Sequence, residues 1–223
     1  MKVTFSCQPA HTLAYCFLDY EESLEVEHGA MAMMSDGIAA SMGFGGSVGA
    51  ALRRKALGGE RALMTRYTAQ TQGAWVAVAS RLPGDMAAVE VGDGVLCDRG
   101  AVIAWDSGVE VDIKYAGARS IALSAGAVLL RLSGTGTAVF GAYGGIQMFD
   151  LDGGQDMVVD TGHLVAWDTS VQMRVGMIGG AATATLSGEG LVARMSGPGR
   201  VWCQTRSMDV LQEWIESRIA PSK

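Results

Sequence analysis

The chain has 223 residues, 49% of them hydrophobic, with 31 glycines, 4 prolines and a formal net charge of −6. That length supports one large or two small domains with a sizeable core, and the apolar content excludes a disordered chain. The acid excess argues against a general nucleic-acid binder, whose affinity comes from a basic field, and no apolar run reaches the roughly 18 residues of a spanning helix.

The start, "MKVTFSCQPAHTLAYC", carries one lysine and no continuous apolar block, so a secretory signal is not expected there. Cys7, Cys16, Cys97 and Cys203 are scattered with no C-x-x-C pair. Scattered cysteines of this kind are expected to be buried, reduced thiols of a cytoplasmic protein that is not secreted.

A first, faint repeat begins at Val26 with "VEHGAMAMMSDGIAASM", which contains Gly29 and Met34. After it comes "GFGGSVGAALRRKALGGE", Gly43 to Glu60. Ser47 could cap a short helix there, with Val48, Ala51 and Leu52 on one side. Gly45 to Gly49 also fits the G-x-S-x-G pattern, but that motif needs an α/β sheet and a later acid and histidine. A hydrolase using this loop is therefore the weakest of the functional alternatives. Phe44, Val48 and Leu52 stand beside Arg53, Arg54 and Lys55, the strongest basic cluster in an acidic chain. Together they form a candidate contact for an anionic membrane surface or a partner. "RYTAQTQG" from Arg66 and "AWVAVAS" close this first stretch.

The second repeat is clearer. "DRGAVIAWD", Asp98 to Asp106, is followed by "VEVDIKY", where Val109, Val111, Ile113 and Tyr115 alternate with Glu110, Asp112 and Lys114. A period of two predicts a strand with one buried face. "RLSGTG" from Arg131 and "TAVFGAYG" follow. The third repeat runs "DTGHLVAWD", Asp160 to Asp168, then "VQMRVGM", "RMSGPG" from Arg194 and "RVWCQTR". The two nonamers share five of nine positions, and Gly100 and Gly162 lie 62 residues apart. Gly29 precedes Gly100 by 71 residues. The first repeat is the longest between its alternating strand and its arginine: 28 residues, against 22 and 23. Its excess is the 43–60 segment.

Self-similarity at a near-constant period marks a duplicated β unit. Short one-faced strands leave edges exposed when alone, so three copies packed about a pseudo-threefold axis could share a core and cover one another's edges. The glycines are expected at turns needing positive φ or at close strand approaches. Trp105 and Trp167 are expected to fill equivalent core or inter-unit positions, with Met34 in that place in the first copy. Asp106 and Asp168 are expected to satisfy nearby backbone N–H groups as Asx-type turns. Arg66, Arg131 and Arg194 recur at equivalent sites. They form either an anion-binding set or, as favoured here, outward strand residues paired with acids. The three histidines are far apart in sequence, and no metal or cofactor is expected.

The period changes at "SMDVLQEWIESRI", Ser207 to Ile219. Leu211, Trp214, Ile215 and Ile219 fall at helical spacing, with Ser207 as N-cap. This stripe is expected to dock on the chain's own β body, with oligomer contact as the sharper alternative.

"LGGERALMTRYT", "GAWVAVASRLPGD", "VVDTGHLVAWDTSV" and "LSGEGLVARMSGPGRVWCQTR" resemble the family named for altered inheritance of mitochondria protein twenty-four. The resemblance runs from about residue 10 to Arg206. It implies a fold of three units akin to the tryptophan RNA-binding attenuation protein. It carries no catalytic residues, and the start of this chain is not Arg-rich like a mitochondrial presequence. The expected architecture is all-β, a single domain over 1–206 built of repeats at about 10–82, 83–150 and 151–206, with a helix and tail over 207–223. The expected role is a non-enzymatic scaffold or protein-interaction module, cytoplasmic or peripheral at an anionic membrane. Its partner would be an unidentified protein or a second copy. The alternative is a small-ligand or anion-binding module.

Overall fold

The computed structural model describes residues 1–43, 64–114, 129–177 and 191–219. These contain nineteen strands, a single 3-10 turn at Thr161–His163 and one α-helix. The protein is mostly β-sheet with a C-terminal helix, as its alternating patterns predict.

After β1 (Lys2–Ser6), the strands fall into three sets of six. The first set is β2 (Leu13–Leu18), β3 (Ser23–Glu27), β4 (Met31–Met34), β5 (Ile38–Gly43), β6 (Met64–Ala69) and β7 (Ala74–Ala79). The second is β8 (Met86–Glu90), β9 (Val95–Asp98), β10 (Val102–Asp106), β11 (Val109–Lys114), β12 (Leu129–Gly134) and β13 (Thr137–Gly141). The third is β14 (Ile146–Leu151), β15 (Asp156–Asp160), β16 (Leu164–Asp168), β17 (Gln172–Met177), β18 (Leu191–Ser196) and β19 (Gly199–Gln204). The helix α1 is Met208–Ile219.

Within each set the same four antiparallel ladders form. First pairs with sixth (β2–β7, β8–β13, β14–β19) and second with fifth (β3–β6, β9–β12, β15–β18). Fourth pairs with fifth (β5–β6, β11–β12, β17–β18) and third with sixth (β4–β7, β10–β13, β16–β19). Every third-to-sixth ladder has a register shift at the same place, between Met31 and Met33, Val102 and Ala104, and Leu164 and Ala166. Such bulges sharpen local twist, which helps a short sheet wrap over a core.

Two ladders join successive sets: β10 lies against β3, and β16 against β9. They create two six-stranded sheets, β5-β6-β3-β10-β13-β8 and β11-β12-β9-β16-β19-β14. The remaining strands form a four-stranded sheet, β1-β2-β7-β4, and a three-stranded one, β15-β18-β17. Among the described residues, strand edges of neighbouring sets thus cover one another at two junctions and not at a third.

The hydrophobic clusters straddle the set boundaries. One joins Leu24, Val26 and Val76 of the first set to Ile103 and Val139 of the second. Another joins Val95, Trp105 and Phe140 to Val165 and Trp202 of the third. Adjacent sets therefore stabilise one another through shared apolar burial as well as through backbone pairing. In β11 the predicted alternation is realised, with Val109 and Val111 buried and Glu110 and Asp112 exposed.

Two expectations are corrected, one for the helix and one for a cysteine. The stripe of α1 does not dock on the β body: no residue of the helix is buried, and Trp214 is 58% exposed. Cys7 is exposed, while Cys16, Cys97 and Cys203 are buried. Of the three repeat glycines only Gly29 adopts positive φ, at 80°. Gly162 instead allows close packing, since a Cβ there would sit 2.6 Å from Ser207 Oγ.

Candidate functional site

The polar residues singled out by repetition serve as fasteners between strands. Asp106 ends β10 and is buried; its Oδ2 accepts the backbone N–H of Thr137 at 2.7 Å. Asp168 ends β16, and its Oδ2 accepts the backbone N–H of Arg200 at 2.8 Å. In the first set Ser35 takes this place, its Oγ accepting the backbone N–H of Trp75 at 2.9 Å. Each acceptor reaches the start of the closing strand, more than thirty residues on, rather than a turn of its own. The expected Asx turns are therefore long-range clamps. A local turn was the simpler expectation because sequence spacing does not reveal which distant N–H faces the carboxylate.

Asp168 makes further bonds. Arg200 donates Nε to Oδ2 and Nη2 to Oδ1, each at 2.9 Å, and its guanidinium lies 4.9 Å from the ring centroid of Trp202. Hydrogen bonding to Asp168 raises the Arg200 pKa above its ordinary value. Asp106 instead has the Met1 amino group 3.3 Å from Oδ1, and that amino group also pairs with Glu22. Glycines admit the clamps: a Cβ on Gly136, at φ 143°, would approach Asp106 Cβ to 2.7 Å.

The tryptophans before these carboxylates seal the junctions between sets. Trp105 faces Glu25 of β3 and is 1% exposed. Trp167 faces Leu96 of β9 and is 2% exposed. Met34 holds the matching register on β4, opposite Val76, as Trp105 stands opposite Ala138 and Trp167 opposite Val201. Met34 is 41% exposed.

Arg66, Arg131 and Arg194 occupy matching places on β6, β12 and β18, in three different sheets. Arg66 donates Nε to Glu25 Oε1 at 2.7 Å, with Nη2 at 2.6 Å from the same oxygen. Arg194 donates Nη1 to Asp156 Oδ2 at 3.2 Å. Arg131 is exposed and lies opposite Asp112 and Leu96 in the ladders. His11 and His28 are exposed, and the His163 Nδ1 lies 2.7 Å from the Gln204 carbonyl oxygen. Among the described residues no group of three or more His, Cys, Asp or Glu is placed to hold a metal ion. Nor is any helix among them long and apolar enough to cross a membrane. Phe44, Val48, Leu52, Arg53, Arg54 and Lys55, and the Gly45–Gly49 loop with Ser47, lie outside the described residues.

Sequence reasoning missed the apolar surface at the end of the array. Met31, Met33 and Met34 on β4 are all exposed, as is Val158 on β15. The signal was present in "AMAMM", where Met31, Met33 and Met34 stand at the places of Val/Leu, Ala and Trp in the later copies.

The fold matches a crystal structure of a Streptococcus pyogenes protein with a TM-score of 0.78 and 21% identity, over 98% of this chain and 99% of that one. An uncharacterized protein of Streptococcus pyogenes serotype M6 is 24% identical over 219 residues, covering 94% of this chain and 87% of that protein. The family model described as mitochondrial biogenesis AIM24 matches residues 4–206, nearly the whole chain, and the protein belongs to that family.

Proposed function

We propose that this protein is a non-enzymatic β scaffold, a protein-interaction module built from three copies of one β unit and working in the cytoplasm. One observation carries the proposal. Large apolar side chains stand in solvent at the outer surfaces, whereas Asp106, Asp168, Arg66 and Arg194 are engaged within the protein. Grouped exposed apolar residues mark interaction surfaces more often than they mark catalysis. On α1 these residues are Val210, Trp214, Ile215 and Ile219. The helix also carries Asp209, Glu213 and Glu216 against the single cation Arg218, so its charge favours a protein groove over an anionic bilayer.

A photo-crosslinker at Val210, compared with the same probe at exposed Glu110, tests the helix surface. A defined protein adduct from Val210 that is absent from Glu110 supports a docking face. Equal, diffuse labelling at both positions sinks it.

A membrane contact is a second proposal, resting on the Arg53, Arg54 and Lys55 cluster beside Phe44, Val48 and Leu52. Each cation near an anionic surface adds about 1 kcal/mol. Co-sedimentation with phosphatidylserine vesicles should fall when the three are changed to Glu. Equal sedimentation of parent and variant, or none by either, removes the membrane from the proposal.

A further inference from the structure

The two incomplete sheets are the halves of a third complete one. Each six-stranded sheet has a fixed composition. The fourth, fifth and second strands of one set are followed by the third, sixth and first strands of the next. The three-stranded sheet, β17-β18-β15, is the first half of that order. The strands β4-β7-β2 of the four-stranded sheet are the second half, with β1 added outside β2. Among the described residues, β15 and β4 each have one strand neighbour and one open edge.

The burial pattern says the same thing. Ala104 and Trp105 at the first junction, and Ala166 and Trp167 at the second, are buried against β3 and β9. Their counterparts Met33 and Met34 are exposed. On the opposing strand, Glu25 is 2% exposed beneath Trp105, while its counterpart Val158, which lies opposite Arg194 as Glu25 lies opposite Arg66, is 49% exposed. These large apolar residues are solvent-exposed only where the joining strand is missing.

Among the described residues, the array also does not close on itself at its inner contacts. Thr12 N donates to the Gly84 carbonyl at 3.0 Å, and Asp85 N donates to the Gly144 carbonyl at 2.7 Å, each just before the first strand of its set. The next donor in that series, Gly145 N, bonds instead to Thr205 Oγ1 at 2.8 Å.

We propose that the open β4 edge of one copy of this chain pairs antiparallel with the open β15 edge of a second copy, making a head-to-tail homo-oligomer. This goes beyond the α1 surface and rests on different residues. The internal ladders dictate the register. Ala104 faces Val26, Trp105 faces Glu25 and Asp106 faces Leu24 at one junction; Ala166 faces Cys97, Trp167 faces Leu96 and Asp168 faces Val95 at the other. Carried across, Met33 faces Val159, Met34 faces Val158 and Ser35 faces Met157 of the neighbouring copy. A flanking bond completes it: Ser107 N reaches the Ser23 carbonyl and Thr169 N reaches the Gly94 carbonyl, so Asp36 N reaches the Asp156 carbonyl of the neighbour. The contact joins two different surfaces, so repeating it yields a closed ring or a filament rather than an isologous dimer. An open strand edge with apolar flanks is a ready template for such pairing.

The experiment uses full-length protein and native mass spectrometry, with analytical ultracentrifugation. The parent chain should run as an oligomer. Met34→Lys and Val158→Lys should each give monomers with circular dichroism and thermal unfolding at least as native-like as a surface-substituted control, Glu110→Lys. Mixed together, the two variants should form a one-to-one heterodimer and nothing larger, because each retains the edge the other has lost. A monomeric parent, an oligomer that survives both substitutions, or folded variants that fail to form the heterodimer would each overturn the proposal.

Discussion

Replacing Trp105 with alanine should destabilise the protein far more than replacing Met34, although both occupy the same register position in their strand sets. Trp105 is 1% exposed and sits in a cluster with Val95, Phe140, Val165 and Trp202, so its removal empties space where the second set meets the third. Truncating a buried Trp costs about 3–5 kcal/mol in lost transfer energy and residual cavity. For a chain of this size that corresponds to a fall in Tm of roughly 6–20 °C, at about 2–4 °C per kcal/mol. Met34→Ala should cost about 0.5 kcal/mol or less, as expected of a surface change. The comparison belongs on the Val158→Lys background, where the β4 edge has no neighbour to meet. Differential scanning calorimetry with urea titration at fixed protein concentration reads both numbers. A Trp105→Ala loss below about 1 kcal/mol, or equal losses for the two substitutions, would refute the assignment of Trp105 as a junction seal and Met34 as its uncovered counterpart.

The clamps and thiols give further tests. Gly136→Ala should destabilise by about 1 kcal/mol or more, since its φ is 143° and the new Cβ would meet Asp106 at 2.7 Å. Gly153→Ala, with nothing within 4 Å, is the control and should be near neutral; equal effects in thermal melts would contradict the clamp geometry. Burial pushes the Cys16 thiol up to about 12 and the Cys203 thiol up to about 11, and holds Cys97 well above the ordinary range. Thiolates are therefore scarce at these three sites. Native protein at pH 8 should release one fast equivalent of thionitrobenzoate, from Cys7, and four in denaturant; three or more fast equivalents in the native state would show that the core cysteines are accessible. Hydrogen bonding from Ser196, then from Arg194, lowers the Asp156 pKa. Because the folded value is depressed, this stabilisation is present above the unfolded carboxylate range near pH 4 and fades as pH falls through the folded value. Asp156→Asn should flatten that part of the acid limb in a pH series of urea midpoints, and an unchanged limb would count against it.

What the sequence disclosed and what it hid follow from where each signal resides. Strands such as β11 announce themselves because one face is buried and the other wet, so alternation is written into Val109, Glu110, Val111 and Asp112. The third and sixth strands of the later sets were visible because Trp105 and Trp167 are both buried at equivalent register positions, and that shared burial preserves likeness between copies. The first and second strands of each set were not recognised. "SLEVE", "VLCD" and "DMVVD" have no common pattern, because each meets a different environment. Glu25 is buried with Arg66 beside it, Leu96 is half-buried beneath Trp167, and Val158 is open to solvent. The fastening role of Asp168 was partly legible as a polar residue in a turn. Its bond to Arg200 was not, since that pairing depends on the β16–β19 ladder placing residues 32 apart side by side.

Differences among the second strands also explain how a chain with three similar junction surfaces can join in one way. A β4 edge arriving at β3 would find β10 already there, and at β9 would find β16. Among the described residues, only β15 of the three second strands remains open, and it offers Met157, Val158 and Val159 instead of a carboxylate at the position of Glu25. Glu25 is tolerated inside because Arg66 donates to it twice through Nε and Nη2, and an unpaired buried carboxylate would cost several kcal/mol. A contact formed between separate molecules gains by avoiding that cost. Methionine on the incoming edge suits the same purpose: its unbranched side chain adapts to a surface assembled after folding, where the internal junctions use rigid tryptophan. The methionines of β4 thus read as the intermolecular version of the Trp-Asp strand, one whose covering strand must come from another copy.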